Sequence, residues 1–108
     1  MEELKKYTVV LTDQAIGDLR NKGEYIQRAY LDRSLAREWY HRLRDELEKE
    51  LSYLPYKYPL YNIKEALRDM GVHIMAVRND LVLYEIDEDA GVVRVLNVFT
   101  RGTDLTRE

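Results

Sequence analysis

Residues 72–99 read VHIMAVRNDLVLYEIDEDAGVVRVLNVF, and apolar side chains recur in them at every second position, the period of a pleated strand whose successive side chains point to opposite faces. Val72, Ile74 and Ala76 alternate with His73, Met75 and Val77. The dipeptide Asn79-Asp80 then supplies turn chemistry ahead of a second apolar run, residues 81–86, so the two runs are expected to form a β-hairpin. A further turn over residues 87–91 leads into residues 92–99. There Val93, Val95 and Phe99 are expected on one face, with Val92, Arg94, Leu96 and Val98 on the other. The C-terminal half is an antiparallel meander.

Upstream the period changes. Residues 7–11 form a short β-branched and aromatic run, and Thr12 offers a hydroxyl to cap a helix starting at Asp13. Ala15, Leu19, Ile26 and Tyr30 recur at helical spacing with Ile16 beside them, so the helix is expected to reach about residue 31, weakened in its middle by Asn21, Lys22 and Gly23. A second helix carries Ala36, Trp39, Tyr40, Leu43, Leu47, Leu51 and Leu54, with Asp32 or Ser34 as its cap and Pro55 as its stop. The two helices should pack as a hairpin. Residues 55–62, with three tyrosines, two prolines and one lysine, read as a loop. The fold class is α+β.

A chain of 108 residues makes one domain, spanning residues 1–108. Apolar residues are 45% and charged residues 34%, with only 2 Pro and 5 Gly, which excludes disorder as the main state. Cysteine is absent, so disulfide scaffolds, thiol nucleophiles and thiolate metal sites are excluded. No run of apolar residues has the length of a membrane span, and residues 1–10 lack a signal-peptide core; a cytoplasmic protein without membrane contact is expected. Lys and Arg total 17 against 20 Asp and Glu, so binding to nucleic acid needs a local basic patch rather than bulk charge.

Glycine-rich phosphate loops, a serine elbow and paired histidines at helical spacing are all missing, which removes the usual signals of nucleotide hydrolases, serine hydrolases and zinc enzymes. His41 and His73 lie in different elements with no ligand spacing between them, so neither metal nor cofactor is expected. Glu85, Asp87, Glu88 and Asp89 read as a solvated turn before they read as a cation site. On the second helix Arg33, Arg37, His41 and Arg44 share one face: a contact for phosphate or an acidic partner, or an ordinary charged face softened by Glu38 with Arg42 and Asp45 with Lys49. Tyr53, Tyr56, Tyr58 and Tyr61 interleave with Lys57 and Lys64, a mixture that either stacks bases or covers the end of a small sheet. Arg78, Arg94 and Arg101 bring guanidinium groups to the sheet half. Trp39 is either an interface anchor or a core residue.

Several pieces in order resemble the RelE/ParE superfamily of toxins from type II toxin-antitoxin systems. They are YTVVLTDQAIGDL at residues 7–19, YI at 25–26, LSYLP at 51–55, VRNDLVLYEIDED at 77–89 and VVRVLNVFTRGTD at 92–104. The resemblance implies a strand, a helical hairpin and a curved antiparallel sheet, an antitoxin as partner, and either the ribosome with its mRNA or DNA gyrase as target. RelE-like members cut mRNA with a basic sheet surface and an arginine after the last strand; Arg101 matches that arginine. His73 stands where the family often has an arginine, Leu81 where another arginine opens the next strand, and Ile74 and Ala76 where lysines are expected; no tyrosine or histidine follows Arg101. Arg101, His73 and Tyr84 are therefore the candidate catalytic set, Arg78, Arg68, Lys57 and Lys64 the candidate contacts to RNA or another target, and Trp39 and Arg37 the candidate contacts to the antitoxin. The missing cations favour a gyrase-directed, ParE-like or divergent toxin over a RelE-like endoribonuclease or an attenuated interaction module.

Overall fold

The computed structural model describes residues 5–100. The chain runs β1 (Thr8–Leu11), α1 (Asp13–Tyr30), α2 (Arg33–Leu51), a 3₁₀ turn (Pro55–Lys57), α3 (Glu65–Asp69), β2 (His73–Val77), β3 (Asp80–Asp87) and β4 (Val92–Thr100). The strand, helical hairpin and meander are thus in the expected order. Thr12 caps α1 by accepting the Ala15 amide, as its position suggests. Of the two candidates for α2, Asp32 is the cap: its carboxylate accepts both the amide and the hydroxyl of Ser34. Asn21, Lys22 and Gly23 do not interrupt α1, which is continuous through them. The α2 stripe stops at Leu51, short of Leu54, which is half-exposed. Part of the stretch read as a loop is helical, in the 3₁₀ turn, and the short α3 follows it.

The four strands are ordered β1-β4-β3-β2, so the meander is antiparallel while β1 lies parallel to β4 and makes the sheet mixed. A two-residue turn of Arg78 and Asn79 joins β2 to β3, and Asp80, expected in that turn, is instead the first residue of β3, opposite Val77. Arg78 takes the positive φ of this turn, 54°. A hairpin turn of this length favours Gly or Asn there, because a Cβ crowds the following carbonyl.

The strand faces also depart from simple alternation. Leu83 pairs with Asn97 and Tyr84 with Val95, which leaves Leu96 as the extra residue of a β-bulge in β4. One additional residue reverses the side-chain phase beyond it. Val98 therefore joins Val93 and Val95 under the helices, and Phe99 turns to the opposite face with Leu96. Beyond the end of β1, the edge of β4 is taken by α1 and its cap. Thr12 donates its amide and hydroxyl to the Val95 carbonyl, and Asp18 accepts the Val98 amide at 2.9 Å.

The main core lies between the helical hairpin and the sheet: Ala15 and Leu19 of α1, Leu43, Leu47 and Leu51 of α2, with Met75, Val82, Tyr84, Val93 and Val95 beneath. Every buried residue of α1 precedes Arg20, and every buried residue of α2 follows Arg42. Ile26 is only half-buried and Tyr30 is 66% exposed, so the second half of the expected α1 stripe meets no core. In the outer half of the hairpin Trp39 and Tyr40 are half-buried against this core, and a polar contact adds to their packing. The Asp80 carboxylate, 3% exposed, accepts the Lys22 ammonium through Oδ1 and the Trp39 indole N–H through Oδ2 at 2.8 Å. The Lys22 ammonium also lies 5.4 Å from the centre of the Trp39 ring.

Removing one partner of a buried pair leaves an uncompensated charge, so Lys22→Met is expected to cost roughly 3–5 kcal/mol of stability. Urea unfolding followed by Trp39 emission checks this. A loss below about 1 kcal/mol, the level of exposed pairs, contradicts it.

Candidate functional site

The sheet has one face under the helices and one turned away. Ala76, Leu81 and Phe99 form a row across β2, β3 and β4, and Ile74, Leu83 and Asn97 form the next. Tyr61, Val72 and Leu83 are buried there, with Leu67, Ile74, Leu96 and Phe99 packed on them. The segment before β2 thus covers part of this face, and Leu60 bridges His73 to hold it in place. The strands' one arginine among the described residues, Arg94, is not free to meet an anion: it donates to Asp87 at 2.9 Å and lies 3.7 Å from Glu85. Those bonds hold Arg94 firmly protonated and keep the Asp87 carboxyl below its usual range.

Of the expected catalytic residues, Tyr84 is fully buried on the helix side and donates its hydroxyl to the Pro55 carbonyl at 2.5 Å; burial raises its pKa. That hydroxyl is a core group out of reach of a substrate. His73 is 9% exposed and stacks on the Tyr84 ring, centroids 5.2 Å apart and 13° between planes. Its Nδ1 lies 2.7 Å from the Tyr58 carbonyl oxygen, which can only accept, so the proton sits on Nδ1. Arg101 lies outside the described residues. Two of the three are therefore adjacent, and they are joined as packing.

The expected target contacts do not converge. Lys57 faces Glu50, 3.5 Å away, which raises its pKa, and Arg68 on α3 lies within 3.7 Å of Glu65 and 3.5 Å of Asp69. Lys64 is half-buried at the start of α3, while Arg78 is exposed at the far end of the sheet in the β2–β3 turn. Arg37 and Trp39 line a groove of about 420 Å³ between α1 and α2 with Ile16 and Ala36. Neither Glu38 with Arg42 nor Asp45 with Lys49 forms an ion pair, so the basic face of α2 lacks the pairs expected to soften it.

The acidic turn is more than a solvated loop. Glu88 accepts the Lys5 ammonium at 2.8 Å, the Tyr7 hydroxyl at 2.8 Å and the Tyr56 hydroxyl at 2.7 Å. These donors, Lys5 first, pull its pKa down to about 2. Among the described residues no acidic or histidine group is arranged to hold a metal. Sequence patterning missed Asp80, because Asn79-Asp80 reads as a turn, and missed Glu88 as a hub, because its donors lie more than 30 residues away in sequence.

No family model and no curated protein matches the chain. Solved structures do. A chain of the toxin-antitoxin complex RelBE2 from Mycobacterium tuberculosis is 26% identical, with a TM-score of 0.58 over 89% of this chain and 99% of that one. A chain of the chromosomal ParDE TA system from P. aeruginosa has the same fold at 11% identity, with a TM-score of 0.69 over 90% of this chain and 98% of that one. The chain is of the RelE/ParE superfamily. Within that fold the RelE/ParE sheet here carries an apolar row and a neutralised arginine on its open face.

Because the Glu88 pKa is depressed in the folded state, its contribution to stability is complete above about 4.5 and is lost as the pH falls towards about 2. Melting temperature is expected to drop through that window, and Glu88→Gln is expected to flatten the drop. An unchanged pH profile in the variant contradicts the assignment.

Proposed function

We propose that the chain is the toxin of a type II toxin-antitoxin system, held inactive by a cognate antitoxin, and that it arrests growth by binding a protein target, DNA gyrase or a similar enzyme. The toxin reading is supported by the likeness to chains of two toxin-antitoxin systems over nine-tenths of this chain. The observation that carries the choice of target is the open sheet face. Ribonucleolytic transfer at a sheet surface needs groups that stabilise phosphate charge and move protons, each worth about 10²- to 10⁴-fold in rate. On this face Ile74, Ala76 and Leu81 offer no cation, and Arg94 is committed to Asp87.

The competing reading, a ribosome-dependent mRNA endoribonuclease, rests on Arg101, which follows the last strand in sequence, as a charge-stabilising group, with His73 or Tyr84 substituting for the missing proton-transfer groups. Trp39 and Arg37, exposed to one groove of the helical hairpin, suit contact with the antitoxin.

Tightly induced expression of the chain in a bacterial host, with pulse labelling of DNA and protein synthesis, separates these readings. DNA synthesis is expected to stop first, and Arg101→Ala to arrest as strongly as the parent. Protein synthesis stopping first, with Arg101→Ala harmless, overturns the gyrase-directed reading in favour of the nuclease. Unimpaired growth overturns toxicity itself.

A further inference from the structure

The tip of the helical hairpin breaks two local rules at neighbouring positions. Leu31, which joins α1 to the α2 cap Asp32, ends α1 in the left-handed region, with φ 51° and ψ 39°. A helix that ends this way usually does so on Gly, because a Cβ there crowds the following carbonyl. Leu31 is moreover 90% exposed and Tyr30 before it 66% exposed, so the strained residue gives the fold no packing in return. Arg33 then opens α2 with no acid in the first turn, although the positive end of the helix dipole favours acids and opposes cations.

The tip also stands clear of the core. Tyr30 lies about 16 Å along the helix from Leu19, the last buried residue of α1. Arg28, in the last turn of α1, and Arg33 are both exposed, and neither has a hydrogen-bond or ion-pair partner among the described residues. Asp32 between them commits its carboxylate to Ser34. The tip is thus apolar at Leu31 and cationic on either side of it, in a chain of net charge -3. Local rules broken with no gain to the fold mark places where a surface has a task.

We infer that the hairpin tip is the element that grips the protein target: the Leu31 side chain enters an apolar recess of that protein, and carboxylates at its rim pair with Arg28 and Arg33. The inference rests on the proposed reading of a toxin that acts by binding a protein, and it names the surface that does so. A phosphate backbone would engage the two arginines and leave Leu31 unmatched. A second copy of this chain, meeting the first tip to tip, would set arginine against arginine. An apolar recess with an acidic rim satisfies both the leucine and the charge.

Substitutions at the tip separate this role from a structural one, because they leave or improve stability while removing toxicity. Leu31→Gly relieves the left-handed strain and Arg33→Glu suits the start of α2, so each is expected to keep or raise the urea midpoint of the purified chain. In tightly induced expression, each is expected to need at least tenfold more protein per cell, by immunoblot, than the parent for the same growth arrest. Leu31→Met, apolar at the same strained position, is expected to arrest like the parent. Arrest by Leu31→Gly at the parent's protein level overturns the inference and leaves the toxin reading standing. So does a Leu31→Gly urea midpoint below the parent's, which makes the residue structural. Loss of arrest in Arg33→Glu alone assigns the tip to a polyanion and overturns it too. A parent chain that leaves growth unimpaired removes the toxin reading, and the inference with it.

Discussion

A single buried carboxylate governs the shape of this molecule. Asp80 starts β3, and its two oxygens take a donor from each helix of the hairpin, Lys22 from α1 and Trp39 from α2. The fully buried residues of the hairpin, Ala15 and Leu19 on α1 and Leu43, Leu47 and Leu51 on α2, all lie at its inner end, and in its outer half the half-buried Trp39 and Tyr40 share the work of placing it with this polar contact. A buried ion pair repays its desolvation only when its remaining valences are filled, and here the indole N–H fills one of them. The groove beside Trp39 exists because this contact fixes both of its walls.

The sheet is organised by a second local constraint, the bulge at Leu96. By reversing the side-chain phase it sends Val98 into the helix-facing core and Phe99 to the open face, where Phe99 extends the apolar row from Ala76 and Leu81. The same face that could carry cations in a nuclease is thereby made apolar, and its arginine is tied to Asp87 and Glu85. His73 and Tyr84 meanwhile stack as part of the packing. The proposed protein-directed reading rests on these features.

Periodicity revealed the order of the elements, since the alternation in residues 72–99 and the helical spacing through Leu43, Leu47 and Leu51 are both local signals. The parallel pairing of β1 with β4 was not legible, because it joins residues more than 80 positions apart. Nor was the bulge, since one unpaired residue leaves no mark of its own in a stretch such as Val95-Leu96-Asn97-Val98. Candidate residues fared differently for a related reason. Tyr84 and His73 could be singled out by type, yet their roles depend on the Pro55 and Tyr58 carbonyls, and carbonyls carry no sequence signature. Asp80, Lys22 and Trp39 come from three separate elements, and only the folded chain brings them together.

The proposed protein-directed reading, drawn from an open face that is apolar and an arginine that is neutralised among the described residues, implies that the chain leaves RNA intact. Adding the purified chain to a cell-free translation reaction and mapping the 5′ ends of the message tests this most directly. Translation is expected to continue on intact mRNA. New ends appearing within codons on translating ribosomes, and disappearing with Arg101→Ala, would contradict it.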